Sequence, residues 1–230
     1  MLSFFKKYRF VITLSLILAF GGILWLLYSN RQKAKQPPFL DIWVQFGNAY
    51  YTLVDPSDES IGYYQIDPVI TEEMIGPSVG YAVDNKGNNS CRFFRYTFPQ
   101  QVDQQALYLA SCDDSSQYRF AVFVDFVPGK QLPTAKDYFG IYGIHGADDI
   151  LSLSCDEQLI NDPVTIDKFY HALYGAAPFK PDYSQYIDDK DVSHITIQTD
   201  HFFTRLVYDR YENVLVWGDT HFQLQQAADQ

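Results

Sequence analysis

CRFFRYTFPQQVDQQALYLASC, residues 91–112, reads as two strands around a polar loop. Arg92–Phe98 and Ala106–Ser111 are rich in aromatic and apolar residues, and Pro99–Gln105 between them is polar. With Phe98 opposite Gln105, opposed residue numbers sum to 203. Phe94 then faces Leu109 and Tyr96 faces Leu107 on one apolar face. The other face pairs Arg95 with Tyr108 and sets Cys91 against Cys112. Directly opposed residues of an antiparallel pair have Cα atoms ~4.5–5.5 Å apart, within reach of a disulfide. The stretch therefore predicts an antiparallel hairpin closed by a Cys91–Cys112 bridge. Cys155, the third cysteine, is then a strand-end residue rather than a nucleophile.

The same β signal extends in both directions. Asp41–Phe46 and Ala49–Val54 flank Gly47-Asn48, a two-residue turn of the kind that joins hairpin strands. Thr71 is placed to cap one helical turn, Glu72–Ile75, that Gly76 ends, and Ser78–Val83 returns as a strand. Asp84–Ser90 (DNKGNNS) is a turn cluster, and Tyr118–Phe126 is a long strand stopped by Pro128-Gly129. Thr134 with Asp137 three residues on predicts a capping box and a short helix ending near Gly140–Gly143. Ile150–Cys155 reads as a further strand.

Asp162-Pro163 opens the main amphipathic helix, about 162–175, with a carboxylate cap and Pro at the first helical position. Ile166, Phe169, Tyr170 and Leu173 fall on one apolar face, and Gly175 stops it. His194–Thr199, Phe202–Tyr208, Asn213–Trp217 and His221–Leu224 form a C-terminal β-meander. Ile195 and Ile197 alternate with His194, Thr196 and Gln198, which predicts one wet face. The fold class is α+β and mostly antiparallel, either as one continuous domain or with a sub-boundary near 128–133 between a β-rich half and a helix-plus-meander half.

Phe10–Tyr28 (FVITLSLILAFGGILWLLY) is a run of 19 residues without an ionisable group. As a helix it is ~28 Å long, close to the hydrocarbon thickness of a bilayer. Bulky Trp25, Leu26, Leu27 and Tyr28 stand where signal cleavage needs small residues, so the run is expected to be an uncleaved transmembrane helix. Residues 1–9 are then a cytoplasmic head, 29–38 a polar linker, and 39–230 an extracytoplasmic domain. Lys6, Lys7 and Arg9 before the span and Arg31, Lys33 and Lys35 after it favour this orientation only slightly; the short head and the large following domain tip it. The expected location is the cell membrane, with a single pass and the lipid bilayer as partner of residues 10–28.

Those six basic residues precede residue 36, a stretch without Asp or Glu. Of 17 basic and 28 acidic residues in the chain, the remainder thus holds 11 and 28, a net charge of −17. Phosphate backbones require a basic surface, so nucleic acid is excluded as a partner.

His201, Asp219 and His221 lie near meander turns and are candidate metal ligands, two imidazoles and a carboxylate, provided that they converge. No cofactor is expected. Asp84–Ser90 has the oxygen-bearing residues of a calcium loop, but Arg95 stands at the twelfth position, where a bidentate Glu belongs. No nucleophile elbow of the Gly-x-Ser-x-Gly kind, phosphate loop or His-Glu-x-x-His helix is read in the chain. Tyr50, Tyr51, Tyr63, Tyr64, Tyr183 and Tyr186 are candidates for an exposed recognition surface.

WVQFGNAYYTLVDPSDES (43–60), DPVTIDKFYHALYG (162–175) and FTRLVYDRYENVLVWGD (203–219) together resemble uncharacterised membrane-anchored or lipoprotein extracytoplasmic domains of Gram-positive bacteria. The lipoprotein version carries a lipid-attachment cysteine, whereas no cysteine here precedes Cys91. The resemblance implies a place in the envelope and carries over no activity or catalytic residue. The leading expectation is a non-enzymatic, single-pass protein whose ectodomain binds an envelope protein or peptide. The alternatives are an envelope hydrolase with a site at the meander turns and a ligand-sensing or immunity-type accessory domain.

Overall fold

A computed structural model describes residues 43–56, 69–97, 104–112, 117–129, 131–180 and 192–224. All lie in the compact unit Ile42–Gln230, which is distinct from Met1–Asp41. The apolar run 10–28 falls outside the described residues, as do Tyr63, Tyr64, Tyr183 and Tyr186. Among the described residues, no helix is long and apolar enough to cross a membrane.

Six strands close a barrel in the order β1-β2-β6-β5-β4-β3. They are β1 (Trp43–Phe46), β2 (Ala49–Val54), β3 (Ile75–Val83), β4 (Asn89–Tyr96), β5 (Leu107–Ser111) and β6 (Arg119–Phe126). Every described pairing is antiparallel. Phe46 pairs with Ala49 across the expected two-residue turn, where Gly47 takes φ +63°. The β4–β5 register runs Arg92↔Ser111, Phe93↔Ala110, Phe94↔Leu109 and Arg95↔Tyr108, the sum of 203 read from the sequence. Cys91 and Cys112 are joined by a disulfide, with Cα atoms 3.9 Å apart.

Barrel closure changes the meaning of the hairpin's two faces. Phe46 meets Phe93 at 4.9 Å, and Tyr51 meets Phe93 and Tyr108 each at 5.5 Å. These rings come from strands that are not neighbours, so the face carrying Cys91, Phe93 and Tyr108 is the barrel interior. The face expected to be the apolar one points outward, yet Leu107, Leu109 and Phe120 on it are buried as well. A six-stranded barrel encloses only enough room for side chains, and aromatic rings fill this one. Tyr51 is the core-facing member of the strand-borne Tyr50-Tyr51 pair: it is 2% exposed, with Oη donating to the Gln105 carbonyl at 3.1 Å, and belongs to no recognition surface.

Gly76 also departs from expectation. The helical turn is a short 3-10 segment, Glu72–Met74, and Gly76 lies inside β3 rather than ending a helix. A Cβ there would stand 2.8 Å from the Arg95 carbonyl and from Thr97 Oγ1, so close packing against β4 excludes a side chain. Asp84 Oδ1 accepts from the backbone N–H of Lys86 and of Asn88, which makes DNKGNNS a hairpin turn.

After β6 come α1 (Ala135–Ile141), β7 (Ser152–Cys155), β8 (Gln158–Ile160), α2 (Pro163–Tyr174) and β9 (Ala177–Phe179). The meander follows as β10 (Val192–Gln198), β11 (Phe203–Asp209), β12 (Val214–Trp217) and β13 (Thr220–Gln223). Thr134 and Asp137 form the expected capping box on α1, and Asp162 caps α2 by accepting from Thr165 N at 3.0 Å. The strands make one seven-stranded sheet, β8-β7-β10-β11-β12-β13-β9. The sequence reading lacked β8 and β9, its two edges. β7 and β8 join through Asp156-Glu157, both at positive φ (47° and 69°) without a glycine.

Trp217, Leu215, Phe222, Ile197 and Leu206 form the sheet's buried face. The helices cover it: Tyr138 stacks on Trp217 at 5.0 Å, Phe139 meets Trp217 at 5.2 Å, and Phe139 meets Tyr170 at 5.0 Å. On the opposite face His194 is exposed while Thr196 and Gln198 are half-buried, as the alternation predicts. α1 also packs on the barrel, with Tyr138 5.0 Å from Phe126 and Tyr142 6.0 Å from Phe123. Barrel and sheet thus share one aromatic core through this helix.

Candidate interaction surface

The structure does not gather the residues proposed as metal ligands. His201 lies half-buried in the β10–β11 turn, Asp219 is exposed between β12 and β13, and His221 sits inside β13 at 8% exposure. Among the described residues no group of three His, Cys, Asp or Glu could hold a metal ion. Turns at one end of a sheet share a level but are separated by whole strands, and nothing bends these side chains together. Burial lowers the pKa of both imidazoles and favours their neutral form.

Asp219 does mark a second arrangement through its backbone. The Asp125 carboxylate, at the end of β6, accepts from Tyr138 Oη at 2.7 Å, Asp219 N at 2.8 Å and its neighbour Phe126 N at 2.8 Å. Tyr138 Oη also lies 3.2 Å from Thr220 Oγ1. Burial lifts the Asp125 pKa from its ordinary value against the pull of those donors. Burial, reinforced by the Asp125 charge, likewise raises the pKa of Tyr138 and keeps it protonated. Both Asp125 oxygens are engaged by donors of the chain itself, so the group acts as a clasp between barrel and sheet.

Gly76-Pro77-Ser78-Val79-Gly80 does spell Gly-x-Ser-x-Gly, a pattern the sequence reading passed over. Its chemistry requires a serine on a sharp strand-to-helix turn, with a basic partner. Ser78 instead lies within β3, paired in register with Phe94. Its Oγ donates to the Phe93 carbonyl at 3.3 Å and accepts from Arg92 Nε at 2.8 Å. Its hydrogen bonds among the described residues are to a carbonyl and to an arginine rather than to a base, and it holds that arginine in place.

That arginine centres an exposed cluster on the outer face of the barrel. Tyr81 pairs with Arg92 across β3–β4, and Arg92 with Ser111 across β4–β5. All three point outward, opposite in phase to Phe93. The Arg92 guanidinium lies 5.3 Å over the Phe94 ring, and Phe94 meets Tyr118 edge-on at 5.4 Å. Tyr81 is 57% exposed, Arg92 and Ser78 are exposed, and Phe94 and Tyr118 are half-buried. Arg119 nearby is paired with Asp55 at 3.1 Å. The two terminal nitrogens of Arg92 make no hydrogen bond or ion pair among the described residues.

The CRFFRY pattern places Arg92 and Phe94 on one face, which could have flagged part of this surface. Tyr81 was out of reach of sequence reasoning, because the β3–β4 ladder shifts register three times. Comparison of the chain with protein-family models, with curated proteins and with solved structures gave no match.

Proposed function

We propose that the chain is a non-enzymatic, single-pass membrane protein whose extracytoplasmic domain binds an envelope protein or peptide through the outer face of its barrel. The observation that carries the reading is the Tyr81–Arg92–Phe94–Tyr118 surface. It is an exposed cation and aromatic platform on a domain whose net charge is −17. Aromatic residues and arginine dominate the energetics of protein interfaces because they offer large rigid area with a polar tip. The apolar run 10–28 would tether the domain to the membrane and restrict its partners to envelope components. The hydrolase alternative requires His201, Asp219 and His221, or some other acid/base group, to converge in one cleft, and among the described residues those three form no metal-holding group.

A photo-crosslinking residue at position 81 of the full-length chain, used in intact cells, tests the proposal. Position 211 in the β11–β12 turn, where Tyr211 is 84% exposed, serves as the control. A discrete adduct with an envelope protein from 81 and not from 211 is expected. No adduct from 81, or the same products from both positions, refutes the reading.

A further inference from the structure

We infer that Arg92 is the receptor for an acidic side chain of the partner, a Glu or Asp carboxylate flanked by an aromatic or apolar residue. The inference rests on the binding role just proposed and specifies what the surface takes.

A flexible surface arginine is a poor anchor, because ordering it costs ~2 kcal/mol of rotamer entropy. Here much of that ordering is already done. Ser78 Oγ is oriented by donating to the Phe93 carbonyl, which turns an oxygen lone pair toward Arg92 Nε. The Phe94 ring supports the guanidinium plane from below, and Tyr118 steadies that ring from its edge. What remains outward is the two-nitrogen fork, whose geometry matches a carboxylate bidentately. Tyr81, the cross-strand neighbour, offers an adjacent stacking surface for an apolar residue of the partner.

Charge selects the occupant further. A domain of net charge −17 repels anions at long range, so a carboxylate is held here only through a short-range, pre-ordered contact. A terminal carboxylate is the less suited source. Such groups are captured in nests of consecutive free backbone N–H groups, whereas Tyr81 and Arg92 sit in a paired run of the ladder, Gly80↔Phe93, Tyr81↔Arg92 and Ala82↔Cys91.

The test uses the full-length chain in zwitterionic detergent, labelled with 15N-arginine, and three capped dipeptides. These are Ac-Phe-Glu-NH2, its neutral counterpart Ac-Phe-Gln-NH2, and Ac-Phe-Gln-OH, which carries only a terminal carboxylate. The Glu peptide is expected to shift the Arg92 Nε–H signal and to bind at least five-fold more tightly than the other two. Arg92→Gln should weaken it about ten-fold. Arg92→Lys, which keeps the charge without the fork, should weaken it several-fold, and Arg119→Gln should leave it unchanged. Equal binding of the Gln peptide, equal or tighter binding of the terminal carboxylate, or insensitivity to Arg92→Gln overturns the inference. An adduct at position 81 that persists alongside such a result leaves the binding role standing and removes only its carboxylate chemistry. Carboxylate selectivity without any adduct removes the envelope-partner role instead.

Discussion

Gly218→Ala probes the clasp between barrel and sheet with a single methyl group. Gly218 has φ +57°, and a Cβ placed on it would stand 2.8 Å from both Asp125 carboxylate oxygens and from Tyr138 Oη. Two effects add. An L-residue in the left-handed region costs about 1–2 kcal/mol. Pushing the carboxylate off one of its donors forfeits a charge-assisted hydrogen bond worth about 1.5–3 kcal/mol. The total is about 2.5–5 kcal/mol, a large share of the stability of an ordinary domain. Gly47→Ala separates the two, because Gly47 has φ +63° with nothing within 4 Å of its Cβ position. That variant carries the backbone effect alone, so Gly218→Ala should be the more destabilising by about 1.5–3 kcal/mol. Urea unfolding followed by tryptophan fluorescence reads the difference, with Trp217 stacked on Tyr138 as reporter. Equal losses at the two glycines would refute the clasp.

Removing the disulfide as Cys91→Ala with Cys112→Ala, which closes a sequence separation of 21, should lower unfolding stability by about 3 kcal/mol; a change under about 1 kcal/mol in urea melts contradicts its structural role. Glu157→Gly should raise stability by up to about 1 kcal/mol, since φ +69° suits glycine better than glutamate, and an unchanged melting temperature would show that the turn is not strained. Asp125→Asn gives a pH signature. The folded pKa of Asp125 is raised, so its contribution is fully present below the unfolded value near 3.8 and is lost as pH rises through the folded one. The stability of the wild type relative to Asp125→Asn should therefore fall with rising pH across a window opening above 3.8 and then level off, and a gap that widens with pH is the contrary result.

Short-range structure was largely legible in the sequence, and closure was not. The β4–β5 register, the Gly47-Asn48 turn, the Thr134 and Asp162 caps and the meander strands follow from alternation, turn chemistry and capping, all of which act within a few residues. Strand β8 was missed because its turn, Asp156-Glu157, lacks the usual glycine. The Asp156 carboxylate instead accepts from Ser193 Oγ at 2.7 Å, His194 N at 2.8 Å and Arg210 Nη2 at 2.7 Å, partners far along the chain. The barrel was missed because nothing local says that β3 returns to β1, a closure made by Gln45↔Val83. Without closure, the inside and outside of the 91–112 hairpin cannot be told apart when both faces are apolar. The metal reading failed for a related reason: proximity to turns was visible, and the strand spacing between those turns was not.

The four residues Cys91-Arg92-Phe93-Phe94 show how one strand serves core and surface together. Cys91 and Phe93 point inward, where the first is covalently tied to Cys112 just after β5 and the second packs against Phe46, Tyr51 and Tyr108. The alternation that buries them sends Arg92 outward beside Phe94. The Phe93 carbonyl, fixed by that burial, is also the acceptor that orients Ser78 toward Arg92. The outer surface is therefore held by the barrel interior, through the Phe93 carbonyl, as well as by its own contacts. Loosening the core at Phe93 should disorder Arg92 without touching it, which distinguishes a site built by the fold from a chance arrangement of exposed side chains.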